Sequence, residues 1–249
     1  MQASKIEYRL RGFIMTAIVL LGFWAPWIQA LDLSRRVSLL EWMALELSRT
    51  GLLRFTYATP VVIGFGALLA AVGMILRVWG AACLGPATVN KGSLQAGGLR
   101  MNGPYRHVRN PLFLGTWFML AAVSFLMPPA GALFAIPLLT LFLLRLVLAE
   151  EKFLTAELGE TYRLYREETP RLLPRLRSRL PRSRQKPHWL LALASELNAV
   201  NIFVTLAILS WSYDHELMIK GLLVGFGVSL VARALIVEKS EQQETGKNT

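Results

Sequence analysis

Two short polar segments carry the side chains best suited to chemistry in an otherwise apolar chain. The first, from Gly97 to Gly115, contains Arg106, His107, Arg109 and Asn110. Arginine offers a planar fork of donors to a carboxylate, and asparagine both donates and accepts hydrogen bonds, so the group suits a polar ligand with several hydrogen-bonding atoms. An interfacial helix start whose arginines extend toward lipid headgroups fits the same residues.

The second polar segment, from Leu144 to Pro174, begins where a long apolar run ends and carries the adjacent acids Glu150 and Glu151. A carboxylate near hydrocarbon is unfavourable unless it is partnered, and Arg145 and Arg77 are predicted to lie at a similar depth. Adjacent helical positions point about 100° apart, so one acid can hold a ligand while the other pairs with an arginine. Acids that merely mark the membrane boundary are the alternative.

The composition shows what kind of protein must position these groups. The 249 residues are 54% hydrophobic and 17% charged, with a formal net charge of +11 and a mean hydropathy of +0.43. A soluble domain would be about a quarter charged, so the figures exclude disorder and favour a membrane protein over a cytosolic one. The single cysteine, Cys83, excludes a disulfide framework and a cysteine-based zinc site. We expect no metal.

Uncharged windows of about 20 residues, the length needed to cross a hydrocarbon core, locate the membrane helices. They predict six spans in an all-α, polytopic membrane bundle, because Met127–Gly131 divides one long window into a helical hairpin. The first window is interpreted as a retained anchor rather than a signal peptide, since no small-residue cleavage site closes it. The uncharged windows are residues 13–31, 55–76, 112–144 and 197–213. A further apolar window, residues 217–237, carries Lys220 and Arg233 near its ends.

The basic residues are unevenly distributed between the two sides that six spans would create. With the N-terminus inside, 22 of the 27 lysines and arginines face inward, as the positive-inside rule expects. Both termini and the basic loops are therefore predicted to be cytoplasmic, at the inner membrane if the source is bacterial. Residues 152–186 are the most basic stretch, for which lipid phosphates or a topology signal are better explanations than nucleic acid.

A helix is predicted within the second polar segment, on the cytoplasmic side of the fourth span. Leu154, Leu158, Tyr162 and Tyr165 share one face of it at helical spacing, and Gly159 weakens it. We expect this amphipathic helix to lie against the membrane as a lid.

Four motifs follow one another within residues 60–176. They are Gly103–Gly115 (GPYRHVRNPLFLG), the Glu150–Glu151 pair, Leu158-Gly159-x-x-Tyr162-x-x-Tyr165, and Pro170–Pro174 (PRLLP). In this order they resemble the isoprenylcysteine carboxyl methyltransferase and phospholipid methyltransferase superfamily, and a stretch at the second-span exit, Leu76–Gly85, also looks similar to it. Members are integral membrane enzymes that bind S-adenosylmethionine at the cytoplasmic face and methylate lipid-like acceptors.

The resemblance implies which residues surround the cofactor. The family's Arg-His-Pro-x-Tyr/Phe-x-Gly motif falls on Arg109, Asn110, Pro111, Phe113 and Gly115. Its usual histidine is replaced by asparagine, which cannot act as a base near neutral pH, so a mechanism with a histidine base at this position is in doubt. The implied cofactor-binding residues are Gly103, Tyr105, Arg106, Arg109, Asn110, Pro111, Phe113, Gly115, Glu150 and Glu151.

The same resemblance suggests roles at the reacting centre. Glu151 or Glu150 would hold the amino group or the ribose hydroxyls of S-adenosylmethionine, and Arg109 and Arg106 would hold its carboxylate. Arg171 or Arg145 would orient the acceptor's carboxylate or phosphate, which makes Glu151, Arg171 and Arg145 the predicted catalytic set.

Two acceptors are considered. Carboxyl O-methylation of an isoprenylcysteine-like substrate needs no base, which suits Asn110, whereas N-methylation of a phospholipid amine does need one. His107 keeps the second reaction open.

Three sections are predicted along the chain. Residues 1–56 form an N-terminal anchor and interfacial segment, residues 57–176 the methyltransferase-like core, and residues 177–249 a basic linker, two spans and a polar tail. In the last section Gly221-x-x-x-Gly225 is a weak helix-packing pattern that would serve a homo-oligomer or line the acceptor site. A transporter or structural subunit, and a nicotinamide-dependent membrane reductase relative, are the alternatives.

Overall fold

The computed structural model describes residues 2–24, 37–84, 101–178, 180, 187–212 and 214–245, and every regular element in those ranges is helical. The all-α prediction is therefore confirmed. A 3₁₀ helix, Gly103–Arg106, precedes α5, and another, Leu209–Ser212, precedes α9. The α-helices are α1 Lys5–Arg9, α2 Arg11–Phe23, α3 Leu39–Arg49, α4 Phe55–Leu84, α5 Pro111–Ser124, α6 Pro129–Glu168, α7 Trp189–Ser195, α8 Leu197–Ile208 and α9 His215–Thr245.

Two of the described helices, α4 and α6, are long and apolar enough to cross a membrane. The α7 and α8 helices, bent by 75° at their junction, would together be a third span. The α2 and α5 helices are apolar but have only 13 and 14 residues, which is about 20 Å of helix. Judged by their length and composition, the described helices therefore do not reproduce the six predicted spans. Residues 25–31 of the first predicted span lie outside the described residues.

The α4 and α5 helices pack with their backbones in near contact because both are glycine where they cross. A Cβ atom built on Gly73 would lie 2.8 Å from the carbonyl oxygen of Gly115, and one built on Gly115 equally close to that of Gly73. No larger side chain fits either position without moving a helix. This crossing fixes the start of α5, where Asn110 and Pro111 lie, relative to the end of α4.

The turn predicted from Met127–Gly131 is present between α5 and α6. The α5 helix ends at Ser124, and α6 begins with Pro129 at its first position, which is where proline is best tolerated. The amide of Leu39, at the start of α3, donates to the carbonyl of Met127 at 2.7 Å. The hairpin is therefore tied to α3 across the loop.

The α6 helix is longer than a single membrane span and contains the predicted amphipathic helix. Its backbone leaves the helical region at Gly159, where φ is +53°, a value that glycine adopts without steric cost. Beyond this break Tyr162 and Tyr165 are 2% and 4% exposed, so the predicted apolar face is the buried one. Their rings lie 5.9 Å apart. The hydroxyl of Tyr165 donates to the carbonyl of Tyr105, so this face packs against protein.

Arg77 of α4 pairs with Glu196, at the bend between α7 and α8, rather than with the acids of α6. The Nε and Nη2 atoms of Arg77 lie 2.6 and 2.9 Å from the two carboxylate oxygens of Glu196, which is 4% exposed. The Nη1 atom donates to the hydroxyl of Thr116 and the carbonyl of Leu112 in α5. This buried pair attaches the C-terminal helices to the core.

We predict that Glu196→Gln loosens α7 and α8 and exposes Cys83, the chain's single cysteine. Cys83 is 8% exposed at the end of α4, where the amide of His188 donates to the carbonyl of Ala82. Because breaking a buried ion pair leaves an uncompensated charge, labelling of Cys83 by a membrane-permeant maleimide should accelerate about tenfold or more. Labelling rates in native membranes measure this.

The matched control is Glu216→Gln, because Glu216 pairs with Lys220 on an exposed surface of α9. That variant should label at the wild-type rate, since exposed pairs contribute little. Equal labelling of the Glu196 and Glu216 variants would contradict the anchoring role of the Arg77–Glu196 pair.

Candidate functional site

Glu151 is the centre of a buried charge cluster at the end of the apolar part of α6. Its side chain is 6% exposed. Arg109 Nη1 lies 3.1 Å from its Oε1 atom, and Arg171 donates from Nε and Nη2 to its Oε2 atom at 3.1 and 2.9 Å. One carboxylate therefore meets two guanidinium groups, and the cluster carries an excess positive charge. The hydrogen bonds that Arg171 donates to Glu151 raise the pKa of the Arg171 guanidinium, so Arg171 stays cationic.

Asn110 contributes two further hydrogen bonds to this cluster. Its Nδ2 atom donates to the Oε1 atom of Glu151 and to the backbone carbonyl of Arg171, each at 3.3 Å. Asn110 is only 7% exposed, so both of these hydrogen bonds are formed away from solvent. At the position where the family has histidine, the asparagine here serves as a donor that holds the cluster.

The two polar segments of the sequence lie side by side and are held by backbone hydrogen bonds. The amide of Arg109 donates to the carbonyl of Pro170 at 2.9 Å, and that of Arg175 to the carbonyl of His107 at 3.0 Å. The Nδ1 atom of His107 lies 2.7 Å from the carbonyl of Arg175. A carbonyl only accepts, so Nδ1 is the donor and His107 is engaged in holding the two segments together.

Gly103 and Tyr105 pack the start of the first segment against α4 and α6. Gly103 has a φ of +54°, and a Cβ there would collide with Cys83 and Trp79. The carbonyl of Tyr105 accepts from the hydroxyl of Tyr165 at 2.7 Å. Burial raises the pKa of the Tyr105 hydroxyl well above its ordinary value, so the group is neutral at physiological pH.

Three other predicted cofactor-binding residues are packing residues in the structure. Pro111 is buried at the first position of α5, and Phe113 packs against a core cluster of α6 residues. Gly115 forms the crossing with Gly73. These residues position the site, and the structure shows no polar group of theirs facing it.

Glu150 and Arg145 face the N-terminal helix rather than the Glu151 cluster. The hydroxyl of Tyr8 lies 3.5 Å from a carboxylate oxygen of Glu150. Arg145 Nη2 lies 2.9 Å from each carboxylate oxygen of Glu7, and its carbonyl accepts from the amide of Ala3 at 3.1 Å. The sequence assigned no chemistry to residues 2–9, and its only local signal is the Ser4–Glu7 capping box of α1.

Arg106 is separated from the Glu151 cluster. Its Nε atom donates to the backbone carbonyl of Leu180 at 3.1 Å, and Nη2 donates to the same oxygen. Arg106 thus holds the chain beyond the second polar segment. Of the two arginines predicted to bind a carboxylate, the structure brings only Arg109 to the paired acid.

Two residues near the junction of the two polar segments have buried side-chain atoms without a hydrogen-bond partner among the described residues. They are Arg109, whose side chain is 10% exposed and whose Nε and Nη1 atoms make no hydrogen bond, and Thr169, whose hydroxyl belongs to a residue that is 1% exposed. The Nη1 atom of Arg109 still lies at ion-pair distance from Glu151. Buried polar groups in native proteins are nearly always paired, so the Arg109 guanidinium has donors available for a further acceptor. The sequence analysis did not single out Thr169, which follows α6 as its capping residue.

The described residues contain no group of three histidine, cysteine or acidic side chains arranged to hold a metal ion. The chemistry of the cluster is that of arginine, amide and hydroxyl donors around one carboxylate. Such a set suits an anionic or hydrogen-bonding organic ligand.

Residues 61–161 match the protein-family model described as phospholipid methyltransferase. This confirms the resemblance inferred from the motifs, and the matched segment includes Arg109, Asn110 and both acids of α6. It ends before Arg171, which completes the cluster.

One curated relative is the methanethiol S-methyltransferase of Crocosphaera subtropica, which is 39% identical over 70 residues. The match covers 28% of this chain, and the chain spans only 27% of that relative's length. No solved structure matches the chain significantly.

We predict that Glu151→Gln destabilises the protein strongly. The substitution leaves Arg109 and Arg171 buried or half-buried around a neutral group, which should lower the free energy of unfolding by about 2–4 kcal/mol. Thermal unfolding in detergent, followed by the loss of helical circular dichroism, measures the change. Glu160→Gln on the same helix is the control, since its pair with Arg163 is 69% exposed on both sides and should cost little. A Glu151→Gln protein as stable as the control would contradict the cluster.

Proposed function

We propose that this protein is an integral membrane, S-adenosylmethionine-dependent methyltransferase that acts on a lipid-like acceptor. The family-model match and the methyltransferase relative support the reaction class. The observation that carries the assignment of the site is the buried Glu151 cluster, in which the Nε and Nη1 atoms of Arg109 make no hydrogen bond among the described residues.

The residues at the cluster fit this cofactor. The unpaired Nε of Arg109 suits the carboxylate of S-adenosylmethionine. The oxygens of Glu151 already accept hydrogen bonds from Asn110 and Arg171 and form an ion pair with Arg109, so Glu151 holds these groups in position. Glu150 faces the N-terminal helix and has one long hydrogen bond from Tyr8, so it can receive the ribose hydroxyls, which lie apart from the carboxylate assigned to Arg109. When bound, S-adenosylmethionine supplies an electrophilic methyl group on a sulfonium.

Arg171 is the better of the two arginines proposed to orient the acceptor. It is anchored to Glu151 through Nε and Nη2, yet its side chain is 39% exposed. A guanidinium held on one edge and open on another can bind the carboxylate or phosphate of an incoming lipid. Arg145 is held by Glu7, away from the cluster, which makes it the weaker choice.

We favour carboxyl O-methylation of an isoprenylcysteine-like acceptor. An ionised carboxylate needs no base, and the cluster offers arginines and an asparagine rather than a base. N-methylation of a phospholipid amine is the second candidate, but His107 already donates to the carbonyl of Arg175. S-methylation of a thiol is suggested by the relative's name and also requires loss of a proton.

The membrane arrangement that accompanies this function has six spans, both termini in the cytoplasm and the site at the cytoplasmic face. The excess of basic residues in the predicted inner loops supports it. An apolar acceptor tail would enter between the helices. A homo-oligomer through the C-terminal spans belongs to the same proposal, but the face of Gly225 is already packed against Asn201 of α8, so the contact must use other residues.

Arg109→Lys should weaken S-adenosylmethionine binding about tenfold or more. The substitution keeps the charge but removes the planar fork that reaches Glu151 and the ligand together. Equilibrium binding to protein in lipid nanodiscs measures it, with Arg163→Lys on the exposed face of α6 as the control. Equal affinities of the two variants for S-adenosylmethionine would show that Arg109 does not belong to the binding site. Reduced nicotinamide cofactor should not bind, and tight binding of it would favour the reductase alternative.

The acceptor chemistry can be identified from the product. Membranes incubated with S-adenosylmethionine labelled in the methyl group should yield lipid-extractable label that mild base releases as methanol, because the expected product is a methyl ester. Label that resists base would contradict O-methylation. A labelled quaternary or tertiary amine headgroup would then indicate N-methylation, and a labelled thioether S-methylation.

A further inference from the structure

Two leucines that follow α6 are almost fully exposed. Leu173 and Leu176 are 83% and 97% exposed, and Leu176 is the most exposed large apolar residue in the part of the chain that the structure describes. Both belong to residues 170–177, called here the 170–177 loop. The apolar face predicted to lie on the membrane, that of Tyr162 and Tyr165, is instead buried against protein. The loop, rather than that face, therefore offers apolar surface to the outside of the protein.

The backbone of the 170–177 loop is held in a fixed position. The carbonyl of Pro170 accepts from the amide of Arg109 at 2.9 Å, and the amide of Arg175 donates to the carbonyl of His107 at 3.0 Å. The chain is thus fastened on both sides of Leu173. The exposed leucines project from a fixed backbone, and a segment that is already held in place loses less conformational entropy when it binds.

Arg171 fixes the depth of the loop relative to the apolar helices. Its Nη2 atom lies 2.9 Å from a carboxylate oxygen of Glu151, where the apolar part of α6 ends. Its carbonyl accepts from Nδ2 of Asn110 at 3.3 Å, and Asn110 directly precedes the apolar helix α5. Arg171 therefore lies where one apolar helix begins and another ends. Leu173 is two residues further on, so its Cα atom lies within about 7 Å of that of Arg171.

A second exposed apolar set lies at the same end of the bundle. A Cβ atom built on Gly80 of α4 would lie 2.9 Å from the side chain of Leu112 in α5, so α4 ends near the level at which α5 begins. The α7 helix packs on these last turns of α4, and its residues Trp189 and Leu190 are 49% and 86% exposed. Tryptophan is enriched where membrane proteins pass from lipid to water. This end of the bundle therefore has the side chains of a membrane interface.

The 170–177 loop is also basic. It contains Arg171, Arg175 and Arg177 and no acidic residue. The Arg171 side chain is 39% exposed, and Arg175 and Arg177 are exposed. Leucines beside arginines suit a bilayer with anionic headgroups, since the leucines can enter the upper acyl chains while the arginines stay with the phosphates. A symmetric contact with a second copy of the chain would instead bring the arginines of both loops together, and like charges repel.

We propose that the 170–177 loop docks into the bilayer leaflet next to the Glu151 cluster. Leu173 and Leu176 enter the upper acyl chains, and Arg175 and Arg177 contact the phosphates of anionic lipids. The inference goes beyond methyl transfer, although it rests on the membrane arrangement given with the proposed function. Its consequence for the site is that Arg171 is held at the level of the headgroups, where the charged end of a lipid-like acceptor lies.

The test measures the surroundings of single cysteines in the full chain. Leu173→Cys and Leu176→Cys, each in a Cys83→Ala background, receive a nitroxide label in nanodiscs of phosphatidylcholine and phosphatidylglycerol. Electron paramagnetic resonance then compares collisions of the label with oxygen, which concentrates in lipid, and with a neutral nickel chelate, which stays in water. The ratio of oxygen to nickel collisions should be about threefold or more higher at both positions than at a water-facing leucine.

Leu164→Cys is the matched control, because it is an exposed leucine on a face of α6 that water covers. Leu164 is 58% exposed and lies between the exposed acids Glu160 and Glu167 at helical spacing. The label there should collide with the nickel chelate. Phe65→Cys, at a 50% exposed position of α4, is the control within the bilayer and should collide mainly with oxygen.

A charge reversal tests the contact with anionic lipid. In nanodiscs that contain phosphatidylglycerol, Arg177→Glu should lower the ratio of oxygen to nickel collisions at Leu176→Cys about twofold or more, because repulsion from the phosphates lifts the loop. In nanodiscs of phosphatidylcholine alone the ratio should not change. Arg163→Glu, at a 69% exposed position of α6, should leave the ratio unchanged in both lipids. The same ratio for Arg177→Glu and the parent in both lipids would overturn the assignment of anionic lipid as the partner.

The remaining outcomes separate the inference from the proposed function. Labels at Leu173→Cys and Leu176→Cys that collide with the nickel chelate as often as the label at Leu164→Cys would place the loop in water and overturn the inference. Labels that neither reagent reaches would mean that protein covers the loop, which also overturns it. In both cases binding of S-adenosylmethionine to the wild-type protein decides the proposed function independently. If the label at Phe65→Cys also collides mainly with the nickel chelate, the membrane arrangement itself fails, and the inference fails with it.

Discussion

A carboxylate buried at the end of a long apolar helix must be neutralised, and this requirement organises the functional half of the protein. Glu151 draws Arg109 from one polar segment and Arg171 from another more than sixty residues away. Asn110 completes the set, and backbone hydrogen bonds hold the two segments together. Removing the acid would leave two guanidinium groups close together without compensation, so the loops at this end of the bundle depend on one side chain.

Two ion pairs and the Glu151 cluster have different consequences for the structure. The Arg77–Glu196 pair is buried and fully satisfied, and it joins α4 to the junction of α7 and α8. The Arg145–Glu7 pair is about one-third exposed and attaches α1 to α6. Among the described residues, the Glu151 cluster combines a buried carboxylate, two guanidinium groups and donors of Arg109 that make no hydrogen bond, which is the combination expected where a charged ligand completes the structure.

The sequence predicted the elements better than their partners. Long apolar runs identified α4 and α6, and helical spacing identified the buried face of Tyr162 and Tyr165, because periodicity reports burial directly. The order of the motifs predicted that Arg109 and Asn110 lie near the acids of α6. The position of a residue along a helix does not determine which neighbouring helix its side chain faces, however. The partners of Arg77 and Arg145 therefore could not be predicted from the sequence. Nothing in the local sequence distinguishes Thr169.

The central claim is that the Glu151 cluster is a preformed methyl-donor site rather than a structural ion network. An experimental structure of the protein in nanodiscs with S-adenosylhomocysteine tests it most directly. We predict ligand density with its carboxylate against Arg109, while Arg109 and Arg171 keep their contacts with Glu151. Density elsewhere on the protein, or a ligand that displaces Arg109 from Glu151, would contradict the claim.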